Sequence, residues 1–328
     1  MKHREVPVAI AMCLALGLLA GNVYGQQTES RFSATLNGSV GWQDNIGFAS
    51  QSEDKFDVFT TEVDVDLGYK LVQQQGLELE ASVRPFYAYV GDLSDLSNYG
   101  VDFGATLLGE FGPDFTDPWY SLSLGYTFIG FDDSDPRDGS WLEFEATLGK
   151  RFSPSFGLSG GYRYFQRWQD DNDPLCQVQP GGAPGGGGCA VWITGEVFDH
   201  ERHGGFAHAD FFFGDRTNLF VEYTFWKGDV SATGRPARAG AVMTSDQAFG
   251  TFTSGSNEFY YFVWRSDADQ HVAEVAVNRQ FSERWNAELS LVYLWTSSVD
   301  SQSGTATGPL DDDNYQNFLV NLSVAFRL

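Results

Sequence analysis

Past its first 25 residues the sequence contains no uninterrupted apolar run near the roughly 20 residues that a membrane-crossing helix requires. A helical membrane anchor is thereby excluded from the rest of the chain. Basic residues are scarce as well, 20 Lys and Arg against 44 Asp and Glu, for a formal net charge of -24. That balance excludes a nucleic-acid partner, which needs a basic surface, and permits divalent or organic cations. Chemistry-bearing motifs are also missing. No complete Asp-x-Asp-x-Asp-Gly calcium loop with a following Glu is present, and no local His-x-Ser pair. His200, His203 and His208 are spaced i+3 and i+5, and on a strand only i+2 shares a face, so they lack metal spacing there. No metal site and no catalytic residue is assigned.

The beginning of the chain sets its compartment. Lys2 and Arg4 precede the apolar run Val8 to Ala20, then the small-residue stretch Gly21-Asn-Val-Tyr-Gly25. This is a secretory signal peptide, residues 1–25, with cleavage near Gly25. Cys13 lies inside it without a small-residue lipobox, so the mature chain keeps two of the three cysteines. Those two, Cys176 and Cys189, flank a Gly- and Pro-rich loop and are expected to pair in an oxidising compartment, with a gain of about 3 kcal/mol for a loop of that size. A redox or metal role is the alternative, although no further ligands lie near either residue.

What the sequence has in quantity is glycine and aromatic side chains, 37 Gly, 28 Phe, 14 Tyr and 9 Trp, set in period-two alternation. From Tyr315 to Leu328, Phe318, Val320, Leu322, Val324, Phe326 and Leu328 share one register, and Asn317, Leu319, Asn321, Ser323, Ala325 and Arg327 the other. The pattern recurs from Arg31 to Trp42, with Phe32, Leu36 and Val40 against Ser33, Thr35 and Asn37. Phe59 to Leu71 sets Glu62, Asp64, Asp66 and Lys70 opposite Val63, Val65 and Leu67, and Leu77 to Tyr89 sets Glu78, Glu80 and Arg84 opposite Leu79 and Ala81. Pro85 removes a ladder donor and predicts a bulge or local break.

Counted through the chain, this gives about twelve strands, with fourteen in reserve, joined by five short turns and six longer loops. The segment 229–269 reads as the longest insertion, with Asn257 to Trp264 either a strand extending above the membrane or two further spanning strands. Aromatics near strand ends, Trp119, Phe131, Trp141, Trp168, Trp285 and Trp295, are expected to form interfacial girdles.

A half-polar closing strand behind a signal peptide resembles the bacterial outer-membrane β-barrels of the porin-like kind. Gly41-Trp-Gln-Asp-Asn45 followed by an acidic loop is similar to the opening of porin-type barrels associated with polysaccharide export. The resemblance implies an all-β, transmembrane, antiparallel up-and-down barrel over residues 26–328, with short periplasmic turns and long extracellular loops that include 170–199 and 229–269. It implies a place in the outer membrane of a Gram-negative bacterium. Its implied partners are outer-membrane lipid and lipopolysaccharide, the barrel-assembly machinery, and small solutes, and no cofactor is called for beyond loop-bound Ca2+.

The polar register then predicts a pore lining: Glu62, Asp64, Asp66, Glu78, Glu80, Arg84, Asp102, Glu110, Glu143, Glu145, Arg163, Arg167, His208, Asp210, Glu222, Glu274 and Glu288. Such a lumen is acidic with a basic strip, and carboxylates in an aqueous pore favour cations. The same residues read equally well as mutual neutralisation that holds a filled barrel rigid. Acid runs at Asp132-Asp133-Ser-Asp135, Asp170-Asp171-Asn-Asp173 and Asp311-Asp312-Asp313 are the candidates for loop-bound calcium. The expected function is passive diffusion of small hydrophilic solutes, cationic or saccharide. The alternatives are a non-conducting barrel that presents its loops and a lipid-modifying enzyme centred on His208.

Overall fold

The computed structural model describes residues 31–49, 54–132, 134, 137–170, 175–177, 191–193, 195–234, 242–254, 257–298 and 315–328. The expected signal peptide, Cys189 and most of the acid runs lie outside the described residues. The described residues form fifteen strands: β1 (Phe32–Gln43), β2 (Val58–Gln74), β3 (Leu77–Val90), β4 (Asn98–Glu110), β5 (Trp119–Phe131), β6 (Gly139–Ser153), β7 (Phe156–Gln169), β8 (Leu175–Gln177), β9 (Val191–Ile193), β10 (His200–Phe212), β11 (Thr217–Gly234), β12 (Val242–Ser254), β13 (Asn257–Gln280), β14 (Trp285–Ser298) and β15 (Gln316–Arg327). Twelve of them close a barrel in the order β1-β2-β3-β4-β5-β6-β7-β10-β11-β13-β14-β15, every pairing antiparallel. The ring is sealed where β1 meets β15, from Thr35 opposite Arg327 to Gln43 opposite Leu319. Closure removes the sheet edges that lipid could not hydrate.

The alternation explains which side is which. Leu122, Leu124, Leu289, Leu291 and Leu322 are each more than 40% exposed. So many leucines half open on one register, with polar partners on the other, describe a wall whose outer solvent is hydrocarbon. Trp285 and Trp295 sit at the two ends of β14 on that outer register. Ten residues at about 3.4 Å each and a tilt of about 40° separate them by roughly 26 Å, close to the apolar height of outer-membrane barrels. Trp168, Trp285 and Trp295 therefore fit the expected girdles. Trp119, Phe131 and Trp141 do not, because parity puts them inside: the Trp119 indole covers Gly149, Phe131 lines an inner cavity, and Trp141 packs against Phe165 at 6.4 Å.

Two local expectations meet the backbone. β3 runs unbroken through Pro85, yet its ladder to β2 lapses between the Asp64–Phe86 and Leu67–Val83 pairs without a change of register, and the bulge sits farther on, between Lys70 and Val72. The missing Pro N–H accounts for the lapse.

The described part of the segment 229–269 is strand and not loop. β11 continues to Gly234, β13 begins at Asn257, and β12 pairs with the part of β13 that rises past the end of β14. Asn257 to Trp264 is thus the strand extended above the membrane, and twelve strands span.

That extension caps one end of the barrel. Phe249 of β12 and Tyr261 of β13 bury against Val58, Val90 and Leu96, with Phe56 5.1 Å from each of the two rings. Beside them the short 3-10 turn Gly195–Phe198 buries Val197 and Phe198 against Val263. The cap stands on the rim of the long connections, and the rim of short turns carries no such cluster among the described residues.

Candidate functional site

The inner wall is divided by charge. β2 contributes Glu62, Asp64 and Asp66 in consecutive inward positions, and β3 adds Glu78 and Glu80. Asp64 accepts a hydrogen bond from Asn37 Nδ2 at 2.7 Å, and Glu78 accepts one from Lys70 Nζ at 2.8 Å. Glu80 lies beside Gly68 and Ser33, where the missing glycine side chain leaves it room. Arg84 on β3 pairs with Asp102 on β4, Nε to Oδ2 at 2.7 Å, and Thr127 donates to the other oxygen at 2.6 Å. Glu62 and Asp66 lie within electrostatic reach of this one guanidinium. Glu110 is exposed at the short-turn end of β4.

Six strands around the ring of twelve from β2 stands β10, so the opposite wall is that of β6, β7 and β10. Here arginines are stacked on aromatic rings from one rim to the other. Arg151 lies 4.3 Å from the ring centre of Phe212, and Arg163 lies 4.0 Å from that of Phe206. Arg202 is 4.5 Å from Phe165 and 5.2 Å from Trp226. Arg137 and Arg167 share Phe198 at 4.7 and 5.6 Å. Each ring fixes a planar cation that would otherwise be costly to order, at about 0.5 to 2 kcal/mol per contact.

Arg163 also joins the acids of its own wall. It binds Glu145 Oε2 at 2.7 Å and Glu222 Oε1 at 2.5 Å, and donates to Thr224 at 2.9 Å. Glu274 faces Glu222 directly on β13, and Glu288 follows on β14, accepting from Asn278 at 3.3 Å. Glu143 lies in reach of both Arg202 and Arg163. His208 stands between Glu222 Oε2 at 3.2 Å from Nδ1 and Asp210 Oδ1 at 3.3 Å from Nε2, and Asp210 accepts from Asn218 at 2.9 Å. Ser159 is the cross-strand neighbour of His208. With a carboxylate at each ring nitrogen, the imidazole is held by Glu222 and Asp210 and makes no such contact with that serine.

The seventeen predicted lining residues therefore do not form one ring. The structure brings Glu145, Arg163, His208, Asp210 and Glu222 into one network and Arg84 with Asp102 into a second. It leaves Arg167 at the cap, Glu110 at the opposite rim, and the β2 acids on a wall of their own.

Two inner cavities remain between the walls. One of about 500 Å³ lies beneath the cap and is lined by residues from around the ring and from the cap, among them Thr60 and Glu62 of β2, Arg167 of β7, Arg137, Phe198 and Phe249. The other, about 490 Å³, is lined by Thr106, Ser123, Glu143, Glu145, Arg163, Arg202 and Trp226. Among the described residues no group of three or more His, Cys, Asp or Glu is placed to hold a metal.

A crystal structure of an outer membrane channel from Pseudomonas putida F1 matches at a TM-score of 0.51 and 12% identity, covering 93% of this chain and 100% of that one. The fold is shared with that structure: a closed antiparallel outer-membrane β-barrel. The translocator domain of the autotransporter NalP from Neisseria meningitidis matches at a TM-score of 0.43 and 12% identity over 99% of this chain and 98% of that one. The KdgM porin in complex with disordered oligogalacturonate matches at 0.41 and 8% over 89% and 98%. Neither of these last two adds to the argument at such scores. No protein-family model matches the sequence, and no curated protein does.

Four residues of the arginine wall are not among the lining residues expected from the sequence. Arg202 lies one residue before the expected start of its strand, although it has the parity of His208 and so belongs to the inner register. Arg137 and Phe198 come from connections, where period two has no force. Trp226 was visible by parity alone, opposite Tyr223 and Phe225 on the outer face.

Proposed function

We propose that the protein is an outer-membrane channel for passive diffusion of small hydrophilic solutes. The observation that carries this reading is the closed twelve-stranded wall, apolar outside and charged inside, with cavities of about 500 and 490 Å³ left between the inner side chains. A barrel filled for rigidity alone would pair all of its acids and arginines. Arg163 is paired with Glu145 and Glu222 and Arg84 with Asp102, but Glu62, Asp64 and Asp66 form no ion pair with an arginine among the described residues and stand across the ring from the main arginine wall, where they would raise the local concentration of cations.

Reconstitution into planar bilayers tests this. Discrete ohmic steps are expected, with a reversal potential on the cation side in a salt gradient. The combined variant Glu62→Gln, Asp64→Asn, Asp66→Asn is expected to move that potential toward zero, most strongly at low salt, where screening is weakest. Bilayers that stay silent with correctly folded protein would sink the channel reading. The cap supports a second reading, a barrel closed at rest, because Phe249 and Tyr261 bury at the mouth itself.

A further inference from the structure

We infer that the cavity lined by β4, β5 and β6 binds a neutral polyhydroxylated solute about the size of one sugar ring, in preference to a charged solute of the same shape. The inference deepens the channel reading and rests on it for the solute's route to the site. Space, an unused acceptor and a balanced charge meet there.

The space comes from glycine. In one row of inward positions Gly104 stands beside Gly125 and Gly125 beside Glu143, and in the next row Thr106 stands beside Ser123 and Ser123 beside Glu145. Two adjacent positions without side chains leave a recess in the wall, and all six residues line the cavity of about 490 Å³. A Cβ on Gly125 would meet only the Glu143 Cβ, at an ordinary 3.8 Å, so the recess is open at that point.

The acceptor is Glu143. It is exposed to the lumen and makes no hydrogen bond or ion pair with another described residue. Thr106 Oγ1 and Ser123 Oγ lie 3.1 Å apart and share one hydrogen, which leaves one hydroxyl hydrogen and several lone pairs for a ligand. Ser123 and Glu143 are diagonal neighbours on paired strands, roughly 7 Å apart, so a ring with hydroxyls on opposite edges reaches both.

The charge argues for neutrality. Two acids, Glu143 and Glu145, and two arginines, Arg163 and Arg202, line the cavity. Both guanidinium groups already have partners, Glu145 and Glu222 for Arg163 and the Gln270 side chain at 3.0 Å for Arg202. An anion would therefore meet the unpaired Glu143, and a cation on Glu143 would come within reach of Arg202, which balances that carboxylate now. A hydroxyl donates to the carboxylate in a charge-assisted bond and leaves the balance as it is.

The test is equilibrium binding of glucose to the full chain in detergent micelles, beside glucosamine and glucuronate under conditions where these carry a positive and a negative charge. Glucose is expected to bind saturably and at least about fivefold more tightly than either. Glu143→Ala is expected to weaken glucose about tenfold, the loss of one charged acceptor. Gly125→Val fills the recess and is expected to abolish glucose binding, while Gly38→Val, away from the cavity, leaves it unchanged.

Tighter or equal binding of glucosamine or glucuronate would overturn the inference, as would the absence of saturable glucose binding or indifference to both cavity variants. Conductance of the same protein separates the two readings. Current without glucose binding defeats the site and leaves the channel standing, whereas glucose binding without current supports the site and defeats the channel.

Discussion

Arg163 on β7 reaches past β10 to Glu222 on β11, with Nη1 2.5 Å from Oε1. The residue beside it on β10 is Gly204, and the ring centre of the next inward residue, Phe206, lies 4.0 Å from the guanidinium. One cation thereby serves carboxylates on two strands that do not touch.

Removing it should cost more than removing either acid. Arg163→Gln leaves Glu145 and Glu222 without their cation, and both ends of the Arg163–Glu222 pair are partly buried, so the loss falls between that of a buried and an exposed pair, about 2 kcal/mol. Glu145→Gln, which leaves the Glu222 arm intact, should cost about 1 kcal/mol or less. Denaturant unfolding of the two variants in lipid vesicles gives the order, and a larger loss for Glu145→Gln would contradict it.

Neighbouring positions on β5 should respond in opposite ways to the same substitution. Leu124 is on the lipid side and Ser123 lines the inner cavity. Leu124→Arg should destabilise the folded barrel by about 2 to 4 kcal/mol, the cost of a cation in hydrocarbon near the midplane. Ser123→Arg should leave stability nearly unchanged and lower single-channel current, by narrowing the lumen and adding positive charge. The same unfolding assay, with bilayer recordings, checks both.

Gly161 should tolerate no side chain. A Cβ there would run into the Ala146 carbonyl oxygen and lie 2.9 Å from the Phe206 ring. Gly161→Val is expected to displace that ring from Arg163 and to reduce the yield of heat-resistant folded barrel. Gly38, which has nothing within 4 Å of its Cβ position, is the control, and Gly38→Val should fold as the parent does.

Phe249 should control the mouth without supporting the wall. It packs in the cap, on a part of the sheet beyond the end of β14, so Phe249→Ala is expected to raise current while leaving unfolding of the spanning strands unchanged. Unaltered current with an intact barrel would show that the cap does not limit flow.

Much of this was legible from alternation alone. The inner position of His208 and Asp210 follows from their alternation with Ala207, Ala209 and Phe211, and the twelve spanning strands follow from the spacing of turns. Three kinds of information were not. Aromatic rings serve equally as interfacial girdle and as inner packing, so position near a strand end alone does not tell Trp119, Phe131 and Trp141 from the true girdle residues. Strand ends have no pattern of their own, which hid Arg202. Contacts between walls depend on how far around the ring two strands lie, so the separation of the β2 acids from the arginine wall appears only once the order of strands is closed.

The seam from Thr35 opposite Arg327 to Gln43 opposite Leu319 has a consequence for how the protein comes to exist. Every other pairing of spanning strands joins neighbours along the chain, and this one joins the first strand to the last. Until it forms, β1 and β15 each present a row of unpaired N–H and C=O groups, and hydrocarbon offers those groups nothing. A barrel lacking any one strand would therefore be poorer by an entire edge on each side of the gap. The seam satisfies both edges at once, and the half-polar strand at residues 316–327 is the piece that completes it.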